Sequence, residues 1–214
     1  MSLKADVRII VADDHGIVRM GLMQTIKRLL PAAIISEVED YKSLYKAILK
    51  EELDLVIMDV NMPNGSVQEA IDYIKMHKPN LKILIFSSQD EEVYAMRYLK
   101  MGAGGYLSKQ SAASVIQTAL TAMLSTGRYA SEVVKEAMFE ASLTGATKES
   151  PFQALSDREL QIANKIAKGL SLKEISNQLN LHSSTISTYK NRLFDKLNIR
   201  SVPELVEILR LYNQ

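Results

Sequence analysis

Five short apolar runs, separated by stretches with helical periodicity, fill the first 125 residues, and this alternation restricts the possible folds more than any other feature. The runs lie at 7–12, 33–38, 53–58, 82–86 and 105–107. Strands that alternate with helices are joined by crossover connections, which place them in a parallel sheet. We therefore predict an α/β fold with a doubly wound five-stranded parallel sheet. Functional sites in such sheets lie beyond the carboxyl ends of the strands.

The remaining residues have no strand pattern, and their composition divides them into two parts. Residues 126–150 indicate a linker, with a short helix at 131–139 and a Gly-, Pro- and Ser-containing mobile connection at 144–151. Residues 151–214 have only helical patterns. We therefore predict an α/β domain at 1–125, a linker at 126–150 and a second, all-α domain at 151–214.

Ser-x-x-Glu sequences mark the helices of the second domain. In such a sequence the serine accepts a hydrogen bond from the third backbone N–H, and the glutamate reaches back to the serine N–H. One more helix follows Ser183 or Ser184, so the domain should contain about four helices. The capping serines are Ser156, Ser171 and Ser201.

Composition excludes several kinds of chemistry. Cysteine is absent, which excludes disulfides, zinc–cysteine sites and thiol catalysis, and the three histidines lack metal-binding spacing. No apolar run reaches about 18 residues, and the first residues lack a signal-peptide pattern. We therefore predict a cytoplasmic protein with no membrane partner. Residues 151–214 carry 9 Lys and Arg against 6 Asp and Glu, a basic excess that is compatible with a nucleic-acid partner.

Charged and polar residues follow four of the predicted strands. Asp13 and Asp14 follow the first run and Asp59 follows the third, so the three carboxylates should converge on one pocket. Clustered carboxylates repel one another without a cation, and their hard oxygens suit Mg²⁺. Ser87 ends the fourth run and Lys109 follows the fifth. An aspartate beside a hydroxyl, an ammonium and a metal indicates phosphoryl chemistry with the aspartate as nucleophile.

Each of these residues taken alone has a simpler interpretation. Asp13 or Asp14 can cap the following helix, and Lys109 can be a solvated side chain. Ser88 and Glu91 form another capping sequence. The conjunction at four separate strand ends is what favours a functional site.

The same conjunction resembles the receiver domain of bacterial two-component response regulators over residues 6–125. The matching motifs are VADDH at 11–15, MDVNMP at 58–63, Ser87 and GAGGYLSK at 102–109. The resemblance implies that a histidine kinase is the phosphoryl donor. It implies the following roles: Asp59 as phosphoacceptor, Asp13, Asp14, Asp59 and the backbone carbonyl of Asn61 as Mg²⁺ ligands, Ser87 and Tyr106 as switch residues, and Lys109 as the phosphate contact.

The chain departs from the receiver pattern beside the acceptor. Response regulators usually have three residues between this proline and the next glycine, whereas only Asn64 separates Pro63 from Gly65 here. Ser88 also replaces the small apolar residue that usually follows the switch position. The loop after Asp59 is therefore about two residues short.

The helix after Ser183 has two different faces. At 100° per residue, apolar residues share one face of this helix and small polar residues share the opposite face. Together with a preceding short helix this pattern is typical of a helix-turn-helix, although a plain helical bundle has the same pattern. The helix before it is predicted at 172–179. The apolar face consists of Ile186, Tyr189, Leu193 and Leu197, and the outer face of Ser184, Thr188, Asn191 and Asp195.

Sequence motifs in this domain resemble the LuxR-type domain of NarL/FixJ regulators over about 152–212. They are LSDREL at 155–160, AKGLSLKEI at 167–175, STISTYK at 184–190 and KLN at 196–198. A lysine is common in the family at position 187, and a histidine at position 189. The resemblance implies that Ser187, Thr188 and Asn191 face DNA bases and that Lys173, Thr185, Tyr189 and Arg192 contact the DNA backbone. Asn191 is the best candidate for direct readout, since asparagine can pair with adenine through two hydrogen bonds.

These observations predict a phosphorylation-dependent DNA-binding transcriptional regulator that accepts a phosphoryl group on Asp59 and is not an enzyme toward other substrates. We expect a homodimer when the protein is phosphorylated or bound to double-stranded DNA. The last helix, predicted at 202–211, is the expected pairing surface. Its apolar residues there are Leu205, Ile208, Leu209 and Tyr212.

Two alternatives stay open. One is a DNA-binding protein that does not depend on phosphorylation and uses the receiver only to dimerise. The other is an aspartyl-phosphate phosphatase of the haloacid-dehalogenase type, which needs a second aspartate two residues after the acceptor. Asn61 occupies that position here.

Overall fold

Five parallel strands form a single sheet in the computed structural model, which describes residues 6–143 and 151–212. The strand order is β2-β1-β3-β4-β5, which is the flavodoxin-like arrangement. The predicted doubly wound parallel sheet is therefore confirmed. The strands are β1 (Arg8–Ala12), β2 (Ile34–Val38), β3 (Leu55–Met58), β4 (Lys82–Ser87) and β5 (Gly105–Ser108).

The central strands are apolar along their whole length because helices cover both faces of the sheet. All four residues of β3 are buried, and β1 is buried from its second residue onward. Burying one such aliphatic side chain contributes about 1.5–3 kcal/mol. The first-domain helices are α1 (Gly16–Leu29), α2 (Tyr41–Lys50), α3 (Val67–His77), α4 (Glu91–Met101) and α5 (Ala113–Thr126).

Helices α1 and α5 share one hydrophobic cluster with one face of the sheet. Leu22 and Ile26 of α1 and Leu120 and Met123 of α5 belong to it together with strand residues such as Ile57. Alternate strand residues point to the opposite face, which α2, α3 and α4 cover. This packing leaves the carboxyl ends of β1 and β3 side by side at the point where the strand order reverses.

A sixth helix, α6 (Glu132–Leu143), lies within the stretch predicted as a linker. It contacts α4, and its Val134 is buried. Contacts divide the chain into two compact units, Met1–Gly145 and Ala146–Gln214. The predicted mobile connection lies outside the described residues except for Pro151, so the linker boundaries stay predictions.

In the described part of the second unit, residues 151–212, four helices follow a short 3-10 turn at Pro151–Ala154. Helix α7 contacts both α9 and α10, and α8 contacts α9. The buried residues Leu160, Ile175, Ile186 and Leu193 belong to three of these helices. The helices are α7 (Asp157–Ala167), α8 (Leu172–Leu179), α9 (Ser183–Leu197) and α10 (Val202–Tyr212).

Two of the three predicted capping boxes of this unit form with both hydrogen bonds, at Ser156 and at Ser171. At Ser201 the serine Oγ accepts from the Glu204 N–H, but Glu204 Oε2 accepts from the N–H of Arg200, the residue before the serine. In this third box the hydrogen bond to the glutamate carboxylate therefore comes from the residue before the predicted one.

Two further expectations are wrong. The Ser88/Glu91 capping sequence does not start α4, because Asp90 is the N-cap and its side chain accepts from the Glu92 N–H at 3.2 Å. The expected pairing surface is wrong for Leu205 and Leu209, because both are buried in their own unit, where α10 contacts α7. For the rest of this helix the pairing role stays a prediction. None of the helices in residues 6–143 and 151–212 combines the length and the hydropathy of a membrane-spanning segment.

Candidate functional site

Two buried aspartates lie next to each other at the carboxyl edge of the sheet. Asp13 directly follows β1, Asp59 directly follows β3, and the two strands are paired neighbours. Asp13 is 1% exposed and Asp59 is 3% exposed. Candidate ligand atoms of these two residues, Asp14 and His15 all lie within 4.8 Å of one another. The structure therefore brings together the three carboxylates that the sequence places at strand ends.

One lysine offsets part of this negative charge. Lys109 follows β5, and its backbone N–H donates to the Ser87 carbonyl at 2.8 Å, which fixes the lysine beside β4. Its Nζ lies 2.6 Å from Asp13 Oδ2 and 3.2 Å from Asp59 Oδ2. One ammonium therefore contacts two buried carboxylates at once, so the group keeps an excess of negative charge.

The acceptor carboxylate has an unusual environment. Burial raises the pKa of Asp59, and the nearby Asp13 raises it too, whereas Lys109 and a backbone hydrogen bond from Val60 lower it. The net pKa lies above the ordinary aspartate value. Its Oδ1 atom is buried without a side-chain hydrogen-bond partner among the described residues. A buried, electron-rich oxygen of this kind can coordinate a cation or attack an electrophile, and hard carboxylate oxygens suit Mg²⁺.

Neither aspartate after β1 caps the following helix. The N-cap of α1 is His15, and its side chain makes no capping hydrogen bond. Asp13 Oδ1 accepts from the His15 N–H at 2.9 Å, which is a bond within the turn. Asp14 is exposed, and its Oδ1 lies 2.6 Å from His15 Nδ1. The capping interpretation is therefore wrong for this helix, and the carboxylates stay directed toward the cluster.

Two residues of this region were missed by sequence reasoning. His15 begins α1 as its N-cap, and one of its ring nitrogens is also among the candidate ligand atoms of the acidic group. Arg19 donates from Nη1 to the Asp13 carbonyl at 2.6 Å and from Nε to Glu37 at 2.8 Å. It thereby holds the backbone of the first acidic residue, and no local pattern in the sequence indicates that contact.

Ser87 and Tyr106, the predicted switch residues, are both buried next to Gln89. The Ser87 Oγ accepts from the Gln89 N–H at 3.2 Å, and the Tyr106 hydroxyl donates to the Gln89 carbonyl at 2.7 Å. The Tyr106 ring stacks on Tyr98 with centroids 6.1 Å apart. Burial raises the pKa of Tyr106 well above its ordinary value, so the phenol stays a neutral donor. Tyr106 thus occupies an inward position.

Asn61 lies on the exposed loop after β3. The contacts described for this residue do not place its carbonyl against the acidic group, so its role as a metal ligand stays a prediction.

Helix α9 exposes three of its six residues that were predicted to meet DNA. It follows α8 through a turn in which Asn180 takes a left-handed conformation, with φ of 50°. Ile186, Leu193 and Leu197 face inward and are buried. The predicted inner residue Tyr189 is only half-buried, as are Thr185 and Ser187. The exposed residues are Thr188, Asn191 and Arg192 on α9 and Lys173 on α8.

Hydroxyl groups on α9 are engaged within their own helix. Ser187 Oγ donates to the Ser183 carbonyl and Thr188 Oγ1 to the Ser184 carbonyl, each at 3.0 Å. In this state they can only accept hydrogen bonds from a partner. Sequence reasoning also missed Lys190, whose Nζ lies 5.1 Å from the centre of the Phe194 ring. It adds a positive charge to the helix, held by a cation–π contact.

Comparison with known proteins identifies both units. Residues 9–121 match the family described as the response regulator receiver domain, and residues 153–209 match the family described as bacterial regulatory proteins, luxR family. The chain is 32% identical over 202 residues to the response regulator UvrY of Escherichia coli K12, covering 94% of this chain and 93% of UvrY.

Two solved structures of RcsB resemble nearly the whole chain. RcsB from Salmonella enterica serovar Typhimurium, bound to promoter rprA in the presence of the phosphomimetic BeF3⁻, is 27% identical with a TM-score of 0.60 and covers 96% of this chain and 98% of its own. A structure of two RcsB dimers bound to two parallel DNAs is 26% identical with a TM-score of 0.58 and covers 97% and 99%.

Proposed function

Because the chain belongs to the response regulators of the NarL/FixJ type, which join a receiver domain to a LuxR-type DNA-binding domain, we propose that phosphorylation of Asp59 controls its binding to DNA. The chain has both domains of a phosphorylation-dependent two-component transcription regulator. The observation that carries the assignment of Asp59 is its buried carboxylate, which pairs through Oδ2 with Lys109 and keeps Oδ1 without a side-chain partner among the described residues.

The phosphoryl group would come from a phosphohistidine of a sensor histidine kinase. An Asp59 carboxylate oxygen attacks phosphorus and forms a P–O bond, while the P–N bond to the histidine breaks. The leaving nitrogen keeps the electron pair and takes up a proton from water. Lys109 contacts the Asp59 carboxylate and Asp13, and there it offsets the charge of the incoming phosphoryl oxygens.

The acidic group fits a divalent cation of the Mg²⁺ type. The donor set is rich in carboxylate oxygen, and one buried carboxylate oxygen has no side-chain partner among the described residues. Asp13, Asp14, Asp59 and the carbonyl of Asn61 would hold Mg²⁺. When bound, Mg²⁺ supplies positive charge to the phosphoryl oxygens. Without it, one lysine faces an excess of carboxylates.

The protein would act as a switch and not as an enzyme on other substrates, catalysing only its own phosphoryl transfer and dephosphorylation. A phosphatase of the haloacid-dehalogenase type needs a second carboxylate two residues after the nucleophile, and Asn61 has none. A role independent of phosphorylation would give no reason for Lys109 to contact two buried aspartates. Both alternatives are therefore less well supported than the switch.

DNA would be bound by α9 in the major groove, with its exposed residues at the bases and the DNA backbone. Support comes from the exposure of Thr188, Asn191 and Arg192 and from the DNA-bound structures of the similar protein RcsB. We extend the RcsB dimer to this chain as a homodimer that forms on phosphorylation or on DNA. A partner of this kind, chromosomal DNA, would place the protein in the cytoplasm.

Phosphorylation of the full chain with acetyl phosphate tests this function. With Mg²⁺, intact mass should increase by one phosphoryl group that is stable to acid and labile to base, and the elution volume in gel filtration should shift toward a dimer. Uptake without Mg²⁺, or uptake at a residue other than Asp59, would contradict the site assignment. A phosphorylated chain whose DNA affinity equals that of the unmodified chain would favour the phosphorylation-independent alternative.

A further inference from the structure

A buried tyrosine contacts the backbone of the proposed acceptor. Tyr41 is the first residue of α2, and its side chain is fully buried. Its hydroxyl donates to the Val60 carbonyl at 3.0 Å and lies 3.4 Å from the Asp59 carbonyl. These are the carbonyls of the two residues that follow β3, so the phenol holds the chain at the point where the acceptor side chain departs.

The shortened loop is attached to the same end of α2 by further contacts. The Tyr41 N–H donates to the Pro63 carbonyl at 3.1 Å, and Asn64 Nδ2 donates to Asp40 Oδ2 at 2.9 Å. Asn64 takes a left-handed conformation, with φ of 64°, which asparagine tolerates better than most residues. The loop between β3 and α3 therefore turns back within very few residues and lies against the N-terminus of α2.

Gly65 makes this close approach possible. A Cβ atom at this position would lie 2.8 Å from Tyr41 Cβ and 3.1 Å from the Tyr45 hydroxyl. A separation of 2.8 Å between two Cβ atoms is shorter than any real contact. Tyr41 Cβ is bonded directly to the backbone, so it cannot rotate away. A side chain at position 65 would have to push the loop and Tyr41 apart.

We propose that Tyr41 is a positioning residue for phosphoryl transfer, which fixes the Asp59–Val60 backbone at the start of the shortened loop. This inference rests on the proposed role of Asp59 as acceptor. By holding two successive carbonyls, the phenol sets the direction in which the Asp59 carboxylate and the next residue, Asn61, are presented. A misplaced acceptor lowers the rate of an in-line attack, because such reactions require close alignment of the reacting atoms.

A second tyrosine on the same helix gives a matched control. Tyr45 lies one turn after Tyr41, and their rings are stacked with centroids 6.5 Å apart. The Tyr45 hydroxyl is buried but has no hydrogen-bond partner among the described residues. Removing that hydroxyl deletes no contact to the acceptor, whereas removing the Tyr41 hydroxyl deletes the bond to Val60. Each variant therefore loses one buried hydroxyl oxygen, but only Tyr41→Phe loses a hydrogen bond to the backbone beside the acceptor.

The test compares Tyr41→Phe with Tyr45→Phe in the full chain, at a temperature where circular dichroism shows both to be folded. Two quantities are measured: the rate of phosphorylation by acetyl phosphate, and Mg²⁺ affinity by calorimetry without a phosphoryl donor. Tyr41→Phe should lower both by roughly threefold to tenfold, the net effect of one hydrogen bond, and Tyr45→Phe should change neither. A purely structural role would lower the melting temperature of Tyr41→Phe and leave both quantities unchanged.

Gly65→Ala provides a second route to the same result if Tyr41→Phe does not fold. It leaves the hydroxyl in place but separates the loop from Tyr41, so it should slow phosphorylation in the same direction. Folded variants at both positions with wild-type rates and Mg²⁺ affinity would overturn the positioning role alone. A wild-type chain that gains no phosphoryl group with Mg²⁺ would overturn the proposed function, and the inference with it.

Discussion

The acidic site at the sheet edge and the exposed face of α9 are built in opposite ways. Asp13 and Asp59 are buried, and Lys109 reaches both from a different strand end. On α9, Thr188, Asn191 and Arg192 are exposed, and the hydrogen bond given for Thr188 stays within the helix. One region is held by contacts from several elements, and the other is presented by a single helix on a small core.

This difference follows from what each region has to bind. A reaction at a buried carboxylate depends on groups that are already in place. Charges that are shielded from water interact strongly, and rearranging them costs free energy. Recognition of DNA by long, solvated side chains tolerates adjustment, because the phosphate contacts give affinity and a few base contacts give specificity. Substitutions in the acidic site should therefore abolish or impair chemistry, whereas those on α9 should change binding and leave stability intact.

The largest effect is expected for Asp59→Asn, which should abolish phosphorylation by acetyl phosphate. The amide is a far weaker nucleophile than the carboxylate, and no other group of the site is proposed to accept the phosphoryl group. Intact mass measures the outcome. Asp54→Asn is the matched control, since Asp54 precedes the same strand at its other end, where it accepts from the Arg8 N–H at 2.8 Å. Phosphorylation that persists in Asp59→Asn would move the acceptor elsewhere.

Asp13→Ala should lower Mg²⁺ affinity by more than about tenfold, because losing even a supporting contact of a metal ligand has an effect of that size. Asp14→Ala should have the smaller effect, because Asp14 is exposed and already paired with His15 at 2.6 Å. Isothermal titration with Mg²⁺ measures both. If neither variant changes Mg²⁺ affinity, the cluster is not a metal site, and Asp13 only supports the turn through its bond to the His15 N–H.

On α9, Asn191→Ala and Arg192→Ala should weaken DNA binding in different ways. Asn191→Ala should cost about 1–3 kcal/mol on the preferred sequence alone. Arg192→Ala should weaken binding to all DNA and lower the salt slope by about one. Selection from random oligonucleotides with the full phosphorylated chain gives the preferred sequence, and titrations at several salt concentrations give the slopes.

Both side chains are exposed, so the free energy of unfolding should change by less than about 0.5 kcal/mol in either variant. If Asn191→Ala and Arg192→Ala weaken binding equally on every sequence, Asn191 does not read bases. A loss of stability in either variant would break the contrast with the acidic site, because it would show that the exposed face also holds the fold together.

Within the second unit, one ion pair behaves more like the acidic site than like the exposed face. Glu159 is 3% exposed and its Oε2 lies 2.7 Å from Lys196 Nζ. Burial alone would raise the pKa of Glu159, but its hydrogen bonds to Lys196 and Ser156 outweigh burial and lower it. Lys196→Met should therefore destabilise the unit by about 1–2 kcal/mol at neutral pH, since a buried carboxylate loses its partner.

The free energy of unfolding that this ion pair contributes should depend on pH in a defined direction. Because the folded pKa of Glu159 is lowered, its stabilisation is complete above the unfolded value of about pH 4.3 and is lost as pH falls through the folded pKa. The difference between Lys196→Met and wild type should therefore shrink below about pH 4, as measured by thermal unfolding. Lys165→Met is the control, because Lys165 pairs with the neutral Gln178 and should show no such pH dependence.

The fold class and the grouping of Asp13, Asp59 and Lys109 at the strand ends could both be predicted from sequence patterns. Hydrophobic periodicity is local, so the five strands and most helices could be located, and a parallel sheet brings residues at strand ends together by geometry alone. Asp13, Asp59 and Lys109 were found in this way. The helix α9 was located through its apolar spacing, which its buried residues Ile186 and Leu193 reproduce.

The polar groups that support these residues could not be predicted from the sequence and became visible in the folded chain. Arg19 contacts the Asp13 carbonyl across the turn between β1 and α1, and Tyr41 contacts the Val60 carbonyl from a different element, and no hydrophobic or motif pattern in the sequence indicates either contact. Packing also explains why Leu205 is covered by its own unit. The error at α4 is local, because Asp90 caps the helix in place of Ser88. Periodicity tells which side chains avoid water, whereas packing of distant segments decides what each buried polar atom and each apolar face meets.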